Sequence, residues 1–268
     1  MSTLVLQAPF DPITAEELAY IRVRQKQPGV HRILLQAEPE GIASLQRRHE
    51  FLKRAAKPYR HIDVTTDQQS AERLPEQLIL GEAEVRSGVF RKGAPGIVRM
   101  LAEDGDYFET MAQACCKESR FRHSQSVAEV CALLARAHHM DESLAWKAGI
   151  LHDVTKKWSA EEGRALLEVY EPDAVAFAEP VYHSFTCPIV LRTQCGIVNH
   201  KLLHAIETHT LGDGNGDLDR ILYIADKIEP TRGYDTTREM NLALKDLKAA
   251  FKLVYEEASE YRKRKSNG

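Results

Sequence analysis

The chain has 268 residues, of which 43% are hydrophobic and 28% are charged, and its formal net charge at pH 7 is −3. This balance is that of an ordinary globular protein, and it gives no sign of the basic surface that a nucleic-acid-binding domain carries. A chain of this length has room for one large domain or two medium ones, each with its own hydrophobic core.

Neither a membrane anchor nor a secretory signal is expected. No apolar run approaches the ~18 residues that a membrane span needs, and no charged leader precedes Asp11. The five cysteines show no CxxC spacing, and their odd number without a signal peptide predicts reduced thiols and a cytoplasmic location. The only basic run, residues 262–265, is expected to be a solvated end.

The first hundred residues alternate between strand and helix patterns. Strands are predicted at residues 3–10, 31–36 and 61–64, and helices at residues 14–25 and 42–56. Strands that alternate with helices imply a parallel sheet with crossover helices. An α/β domain is therefore predicted over residues 1–108.

The first strand leads into the run Phe10-Asp11-Pro12-Ile13. This run resembles the GTFDPxHxGH signature of the nicotinate-mononucleotide adenylyltransferase family. The two histidines that bind ATP phosphates in that family fall on Thr14 and Glu17 here, and its glycine falls on Glu16. The stretch over residues 91–108 also resembles the C-terminal end of that family.

The departures from that family concern its phosphate site. The later SSTxIR-like motif aligns with residues 81–86, where only Glu84 and Arg86 match. A phosphate site needs cationic or N–H donors, whereas Glu16 and Glu17 bring negative charge to the place where triphosphate would lie. We interpret residues 1–108 as a degenerate, truncated Rossmann-like nucleotidyltransferase domain that has lost its chemistry. An unrelated α/β domain is the alternative, and a retained role in nucleotide or partner binding is left open.

From Met111 onward the strand patterns end and helical stripes follow. The stripe over residues 123–137 places His123 on the buried side of a helix. A second stripe ends at Leu151, with His152 at its C-terminal edge. A helix from about residue 201 and another over residues 218–228 direct His209 and Asp226 inward.

Several separate helices thus direct a histidine or an aspartate inward. A single buried histidine is more often a core residue with a hydrogen bond, but burying three or more unpaired titratable groups together costs several kcal/mol each. A metal ion compensates, since neutral imidazoles and carboxylates are its ligands. The pattern H…HD…H…H…D therefore predicts a site for one or two divalent metal ions, made of His123, His152, Asp153, His183, His209 and Asp226.

The motifs around these residues resemble those of the HD-domain superfamily. Residues 120–124 and 148–156 are similar to its RxxHS and AGxLHDxxK signatures. Residues 183–184, 205–212 and 224–232 resemble the H-A/G, AIxxHTxG and ADxIEPxR motifs of its YqeK-type branch, the symmetrical bis(5′-nucleosyl)-tetraphosphatases that act on diadenosine tetraphosphate (Ap4A). The resemblance covers about residues 108–240 and implies an all-α HD-domain bundle over residues 109–268.

The resemblance also implies roles for individual residues. One metal would take His123, His152, Asp153 and Asp226, and a second would take His183 and His209, with Asp153 bridging. In the family the metal is typically iron; the mixed nitrogen and oxygen ligand set alone equally admits manganese, cobalt or zinc. Catalytic roles are expected for Asp153, Lys156 and Arg120. Thr210 and Arg232 are expected to bind substrate or, alternatively, to cap helices.

These expectations predict hydrolysis of Ap4A to two ADP by a metal-activated water. The alternatives are an HD phosphohydrolase for another nucleotide and a non-catalytic nucleotide sensor. An active adenylyltransferase is disfavoured by Thr14, Glu16 and Glu17. The expected partner is a dinucleoside polyphosphate, with no nucleic acid and no membrane, and a homodimer is left open.

Overall fold

The computed structural model describes residues 2–266, which form two compact units. The first comprises the chain up to Thr110 together with Thr193–Ile197, and the second comprises Met111–Arg192 and the residues from Val198 onward. A sheet-containing α/β part is followed by a helical part, which confirms the predicted fold class. Between residues 2 and 266 no helix is both long enough and apolar enough to span a membrane, and no disulfide joins the five cysteines.

A four-stranded parallel sheet forms the centre of the first unit. Its strands are β1 (Ser2–Ala8), β2 (Val30–Ala37), β3 (Ile62–Thr65) and β4 (Glu72–Arg73), in the order β3-β2-β1-β4. Leu6 pairs with Leu35 across β1 and β2, and both side chains are fully buried. The sequence pattern did not predict β4, because both of its residues are charged and exposed.

Five helices accompany the sheet: α1 (Ala15–Gln25), α2 (Leu45–Ala56), α3 (Glu76–Ile79), α4 (Gly81–Arg86) and α5 (Val98–Asp104). Helix α2 begins three residues later than predicted, because the Ser44 side chain accepts a hydrogen bond from the Arg47 N–H and caps the helix there. Phe51 and Leu52 of α2 are fully buried.

Thr14 and Glu17 form a capping box at the start of α1. The Thr14 N–H donates to Glu17 Oε2 at 2.7 Å, and the Glu17 N–H donates to Thr14 Oγ1 at 3.1 Å. Glu17 is fully buried, and burial and the neighbouring Glu82 raise its pKa well above the usual value. The expectation that Glu17 presents negative charge at a phosphate site is therefore wrong; only Glu16 is exposed there.

Glu17 and Glu82 form a buried carboxyl pair. We expect the free energy of unfolding to fall as pH rises, because this pair then loses its proton inside the protein. Burial raises the pKa of Glu82 to about 7, so folding favours protonated carboxyls. A raised carboxyl pKa contributes stability at low pH, and that contribution is lost as pH rises. Glu17→Gln should therefore lose less unfolding free energy than the wild type between about pH 5 and pH 8, measured by denaturant titration. Parallel pH curves would contradict this prediction, and the exposed Glu16→Gln is the matched control.

The helices of the second unit carry the predicted site. They are α6 (Phe108–Cys115, which contains the division between the units), α7 (Glu118–Ala137), α8 (Glu142–Leu151), α9 (Ala160–Tyr170), α10 (Tyr182–Thr193), α11 (His200–Thr208), α12 (Asp217–Ile228), α13 (Thr237–Ala243) and α14 (Leu247–Ser266). Apolar periodicity located α7, α8, α11 and α12. It did not locate α10, which contains Pro188 and is buried over most of its length.

Helices α7 and α8 approach each other closely at Gly149. A Cβ atom built on Gly149 would lie 2.5 Å from Ala128 Cα and 2.8 Å from Ala128 N. Only glycine permits this contact between two backbones. The close approach brings the C-terminal end of α8, and with it His152, towards the buried face of α7.

Candidate metal centre

The structure brings all six sequence-predicted ligands into one buried cluster in the second unit. They come from five helices: His123 from α7, His152 and Asp153 from the end of α8, His183 from α10, His209 from the end of α11 and Asp226 from α12. None of the six is more than 8% exposed. Residues from distant parts of the chain are therefore held together by helix packing.

Two groups of potential ligands share Asp153. His123, His152 and Asp153 each offer one ligand atom, and these atoms lie within 4.8 Å of one another; the same holds for Asp153, His183 and His209. Asp153 Oδ1 lies 3.3 Å from His183 Nε2 and 3.9 Å from His209 Nε2. The shared carboxylate makes Asp153 the junction of the two groups.

Asp226 lies beside the first group and approaches two of its imidazoles through a single carboxylate oxygen. Asp226 Oδ1 lies 3.0 Å from His123 Nε2 and 3.8 Å from His152 Nε2. The aspartate therefore faces the same space as the two imidazoles.

Backbone carbonyls fix the tautomers of two of the histidines. His152 Nδ1 lies 2.7 Å from the Gly149 carbonyl oxygen, and His209 Nδ1 lies 2.5 Å from that of Ile206. Because a carbonyl only accepts, both Nδ1 atoms carry a proton, and in the neutral imidazoles both Nε2 atoms present a lone pair to the cluster.

Few hydrogen-bond donors lie within reach of the histidine Nε2 lone pairs in the cluster. The Nε2 atoms of His123 and His152 are buried and make no hydrogen bond among the described residues. The Nε2 atoms of His183 and His209 face each other at 3.2 Å. A divalent cation would satisfy such converging acceptors, and imidazole nitrogens with carboxylate oxygens are a suitable ligand set. The chain thus carries a His/Asp cluster suited to a divalent metal.

The protonation states of Asp153, His183 and His209 also suit a cation. For His152, in contrast, burial lowers the pKa, but the charges of Asp153 and Asp226 outweigh burial and raise it. Burial would raise the pKa of Asp153, but the charges of His152, His183 and His209 outweigh it and hold the pKa well below the usual range. Burial lowers the pKa of His183 to about 4, and burial together with the charges of His152 and His183 holds the pKa of His209 well below its usual value. At neutral pH these two imidazoles and the carboxylate are in the deprotonated form that metal binding requires.

Glu229 is a member of the site that the sequence analysis did not single out. Its Oε1 lies 2.8 Å from His123 Nδ1, and its carboxylate also accepts hydrogen bonds from the N–H and hydroxyl of Thr231. Because a carboxylate accepts, His123 Nδ1 donates, and His123 Nε2 is left to face Asp226. The available signal was an acidic residue three positions after Asp226, just beyond the end of an apolar helix.

Glu229→Ala is expected to weaken metal binding about 10- to 100-fold, because His123 loses the partner that fixes its tautomer. Glu229→Gln should lose less, since an amide oxygen still accepts from Nδ1. Calorimetric titration of metal-free protein with Mn²⁺ measures both variants, with the exposed Glu256→Ala as control. An alanine variant with wild-type affinity would exclude this role.

Cationic side chains surround the cluster and contact its carboxylates. Arg120 donates to Asp153 Oδ2 at 3.0 Å, and Arg232 donates to Asp226 Oδ1 at 2.8 Å. Arg232 also donates to the Asp226 carbonyl at 2.9 Å, so both of its expected roles, at the site and at the end of α12, are compatible with its position. Lys227, which the sequence analysis did not propose, lies 2.6 Å from Asp226 Oδ2.

Lys156 and Thr210 lie beside the second group of ligands. Lys156 Nζ is 3.0 Å and 3.1 Å from the two ring nitrogens of His183, and burial lowers the pKa of Lys156. Thr210 Oγ1 lies 3.2 Å from His209 Nε2 and accepts from Ser184 Oγ at 2.6 Å. Thr210 is thus adjacent to the cluster rather than at a helix start.

Comparison with known proteins identifies the family. The family model for the HD domain matches residues 120–231. The symmetrical bis(5′-nucleosyl)-tetraphosphatase of Staphylococcus aureus is 31% identical over 136 residues, which cover 48% of this chain and 70% of that protein. This chain belongs to the HD-domain family of symmetrical bis(5′-nucleosyl)-tetraphosphatases. The tetraphosphatase of Halalkalibacterium halodurans is 30% identical over 50% of the chain and 73% of its own length.

Two other similar proteins match a larger share of this chain. A Mycoplasma pneumoniae protein named "Probable nicotinate-nucleotide adenylyltransferase/Ap4A hydrolase" is 30% identical over 62% of this chain, and the chain spans about half (50%) of that relative. A crystal structure of an HD superfamily hydrolase from Clostridium acetobutylicum, described as involved in NAD metabolism, has a TM-score of 0.56 and 28% identity, covering 60% of this chain and 88% of the other. The predicted tetraphosphatase-family recognition, with an adenylyltransferase-like part, is confirmed.

Proposed function

We propose that this chain hydrolyses Ap4A symmetrically to two ADP with the help of divalent metal. The observation that carries the proposal is the buried pair of ligand groups joined by Asp153. The names of the S. aureus and H. halodurans relatives support the substrate and the symmetrical cleavage. A purely binding site has no need of an open metal position, which disfavours the sensor alternative.

The proposed ligands are His123, His152, Asp153 and Asp226 for one ion, and Asp153, His183 and His209 for a second, with iron as the expected metal. When bound, a divalent metal supplies Lewis acidity towards phosphoryl oxygens and lowers the pKa of water. Arg120 holds Asp153 through Oδ2, so that Oδ1 faces His183 and His209. Arg232 and Lys227 hold Asp226 in the same way.

The proposed reaction is an in-line attack of water on one of the two inner phosphorus atoms. A P–O bond to water forms, the bond to the oxygen bridging the two inner phosphates breaks, and one water is consumed for two ADP released. Lys156, Arg120 and Arg232 supply positive charge to the phosphate oxygens, whose negative charge increases in the transition state. The Thr210 hydroxyl, next to His209, is placed to donate to a phosphate oxygen.

We further propose that residues 1–108 form a degenerate adenylyltransferase-like domain, and residues 109–268 the phosphohydrolase domain. Thr14 and Glu17, at the positions of the family's two histidines, bond to each other in the capping box. Asp11 accepts from the Ile42 and Ala43 N–H groups and from the Tyr107 hydroxyl, and Arg86 donates to the Asp11 carbonyl. These motif residues are engaged within the protein, which supports a lost phosphate site.

The decisive experiment is chromatography of the products from Ap4A, alongside elemental analysis of the purified protein. Two ADP per Ap4A is the expected result; AMP with ATP would contradict symmetrical cleavage. Faster turnover of a nucleoside monophosphate or a cyclic dinucleotide would favour another HD phosphohydrolase. Incubation with nicotinate mononucleotide and ATP tests the first domain, and dinucleotide formation would contradict the proposed loss of chemistry.

A further inference from the structure

An open cleft lies next to the metal centre within the second unit. It has a volume of about 830 Å³ and is bordered by the C-terminal end of α12, residues 234–239 and the C-terminal half of α14. This volume lies in the range of ~300–1,000 Å³ that is typical of small-molecule pockets. The cleft is therefore large enough to hold a nucleoside.

Two cations link this cleft to the metal centre. Lys227 and Arg232 line the cleft, and both also bond to the carboxylate of Asp226. A molecule in the cleft would thus be separated from a proposed metal ligand by one layer of positive side chains. Positive charge at this position suits phosphates that run from the metal centre into the cleft.

Two tyrosines give the cleft exposed aromatic surfaces. The side chains of Tyr234 and Tyr261 are 59% and 68% exposed, and both line the cleft above the buried Ile228 and Val254. The Tyr234 hydroxyl donates to the Lys227 carbonyl, which holds its ring beside the cations. Exposed aromatic rings next to cations are the groups on which nucleobases stack in proteins.

A second cleft, next to His183 and Lys156, is a weaker candidate for a nucleoside. Its volume is about 260 Å³, below the usual range for ligand pockets. It contacts the second ligand group directly through His183, so it is suited to phosphate rather than to a base and ribose together.

We propose that the cleft containing Tyr234 and Tyr261, here called the tyrosine cleft, binds one nucleoside of the dinucleoside polyphosphate. The inference rests on the proposed function and adds a nucleoside subsite to it. Symmetrical cleavage leaves two phosphates between the cleaved bond and each nucleoside, and Lys227 and Arg232 lie where such phosphates would pass. Acidic side chains in the cleft, Asp235 and Glu239, can accept hydrogen bonds from ribose hydroxyls or base amino groups.

The test compares the binding of ADP with that of inorganic pyrophosphate to protein held in excess Mn²⁺, by calorimetry. Tyr261→Ala and Tyr234→Ala should each weaken ADP binding about fivefold or more, from the loss of base stacking. Both should bind pyrophosphate within about twofold of wild type, because the cations and the metal centre are unchanged. Tyr170→Ala is the matched control, since Tyr170 is exposed on α9 and does not line the tyrosine cleft.

The outcomes test the nucleoside subsite independently of the proposed hydrolysis reaction. Unchanged ADP affinity in both tyrosine variants would contradict the proposed nucleoside subsite. Equal losses of ADP and pyrophosphate affinity in these variants would also contradict it. So would a wild-type protein that binds ADP no more tightly than pyrophosphate. If wild-type protein shows the ADP preference and the tyrosine variants lose it, the subsite is supported even where Ap4A is not cleaved. In that case the proposed reaction alone fails.

Discussion

Asp153→Ala is expected to lower metal binding and Ap4A hydrolysis together, by at least about 100-fold. Substitution of groups that merely support metal ligands costs about 10- to 100-fold, and Asp153 belongs to both ligand groups. Its removal takes a carboxylate from each group and leaves the imidazoles with no central negative charge. Metal content by elemental analysis, metal affinity by calorimetry and ADP release by chromatography measure the effect.

Two further variants show whether the effect of Asp153→Ala comes from lost metal ligation. Asp153→Asn keeps the shape of the side chain while it removes the charge, so it distinguishes lost ligation from lost packing. Asp173→Ala, at an exposed aspartate in the turn Pro172–Ala176, is the control and should behave as wild type. Full hydrolytic activity in a metal-free Asp153 variant would refute the proposed function.

Gly149→Ala is expected to destabilise the second unit and weaken metal binding, although alanine is the better helix former. The gain in helix propensity is about 1 kcal/mol. The new methyl group would meet the backbone of Ala128 at 2.5 Å, and overpacking of this kind costs about 1–3 kcal/mol. Since backbone atoms cannot rotate away, α8 must shift from α7, which separates His152 from His123. A thermal melt and an Mn²⁺ titration measure the two effects.

Gly163→Ala is the matched control for this steric argument. Gly163 also lies inside a helix, but its added Cβ would meet only the Tyr182 side chain, at 3.2 Å, and a side chain can adjust. The Gly163→Ala variant should retain metal binding. Its melting temperature should rise, or should fall by less than that of Gly149→Ala. Equal melting temperatures and equal metal affinities for the two alanine variants would exclude the close helix contact as a determinant of the site.

The sequence predicted the ligand cluster where helical periodicity was clear. His123, His209 and Asp226 continue apolar stripes, so their burial follows from spacing alone. His183 was predicted from the histidine and aspartate pattern and the family resemblance, and not from helical spacing, because α10 carries Pro188 and is buried on most of its surface, which leaves no polar face to define a period. Periodicity describes one helix at a time, whereas the convergence of five helices depends on contacts such as that between Gly149 and Ala128.

The sequence did not predict the roles of Glu17, Glu229 and Lys227, and the reason is a different one. The alignment predicts a negative surface charge at Glu17, but Glu17 is buried as half of a capping box, and burial suppresses its charge. Glu229 and Lys227 were not proposed as site members because their role is a contact with another side chain, His123 or Asp226. Residue type and spacing do not specify such pairings, which arise only after the helices have packed.

The capping box has a consequence for the history of the first domain. Returning histidine to positions 14 and 17 would remove both reciprocal hydrogen bonds at the beginning of α1, and the loss of a single N-cap typically costs about 1 kcal/mol. Each back-mutation would therefore lower stability before any ancestral activity could return. On the proposal that this domain descends from an adenylyltransferase, the Thr14–Glu17 pair therefore makes the return of that activity costly in stability.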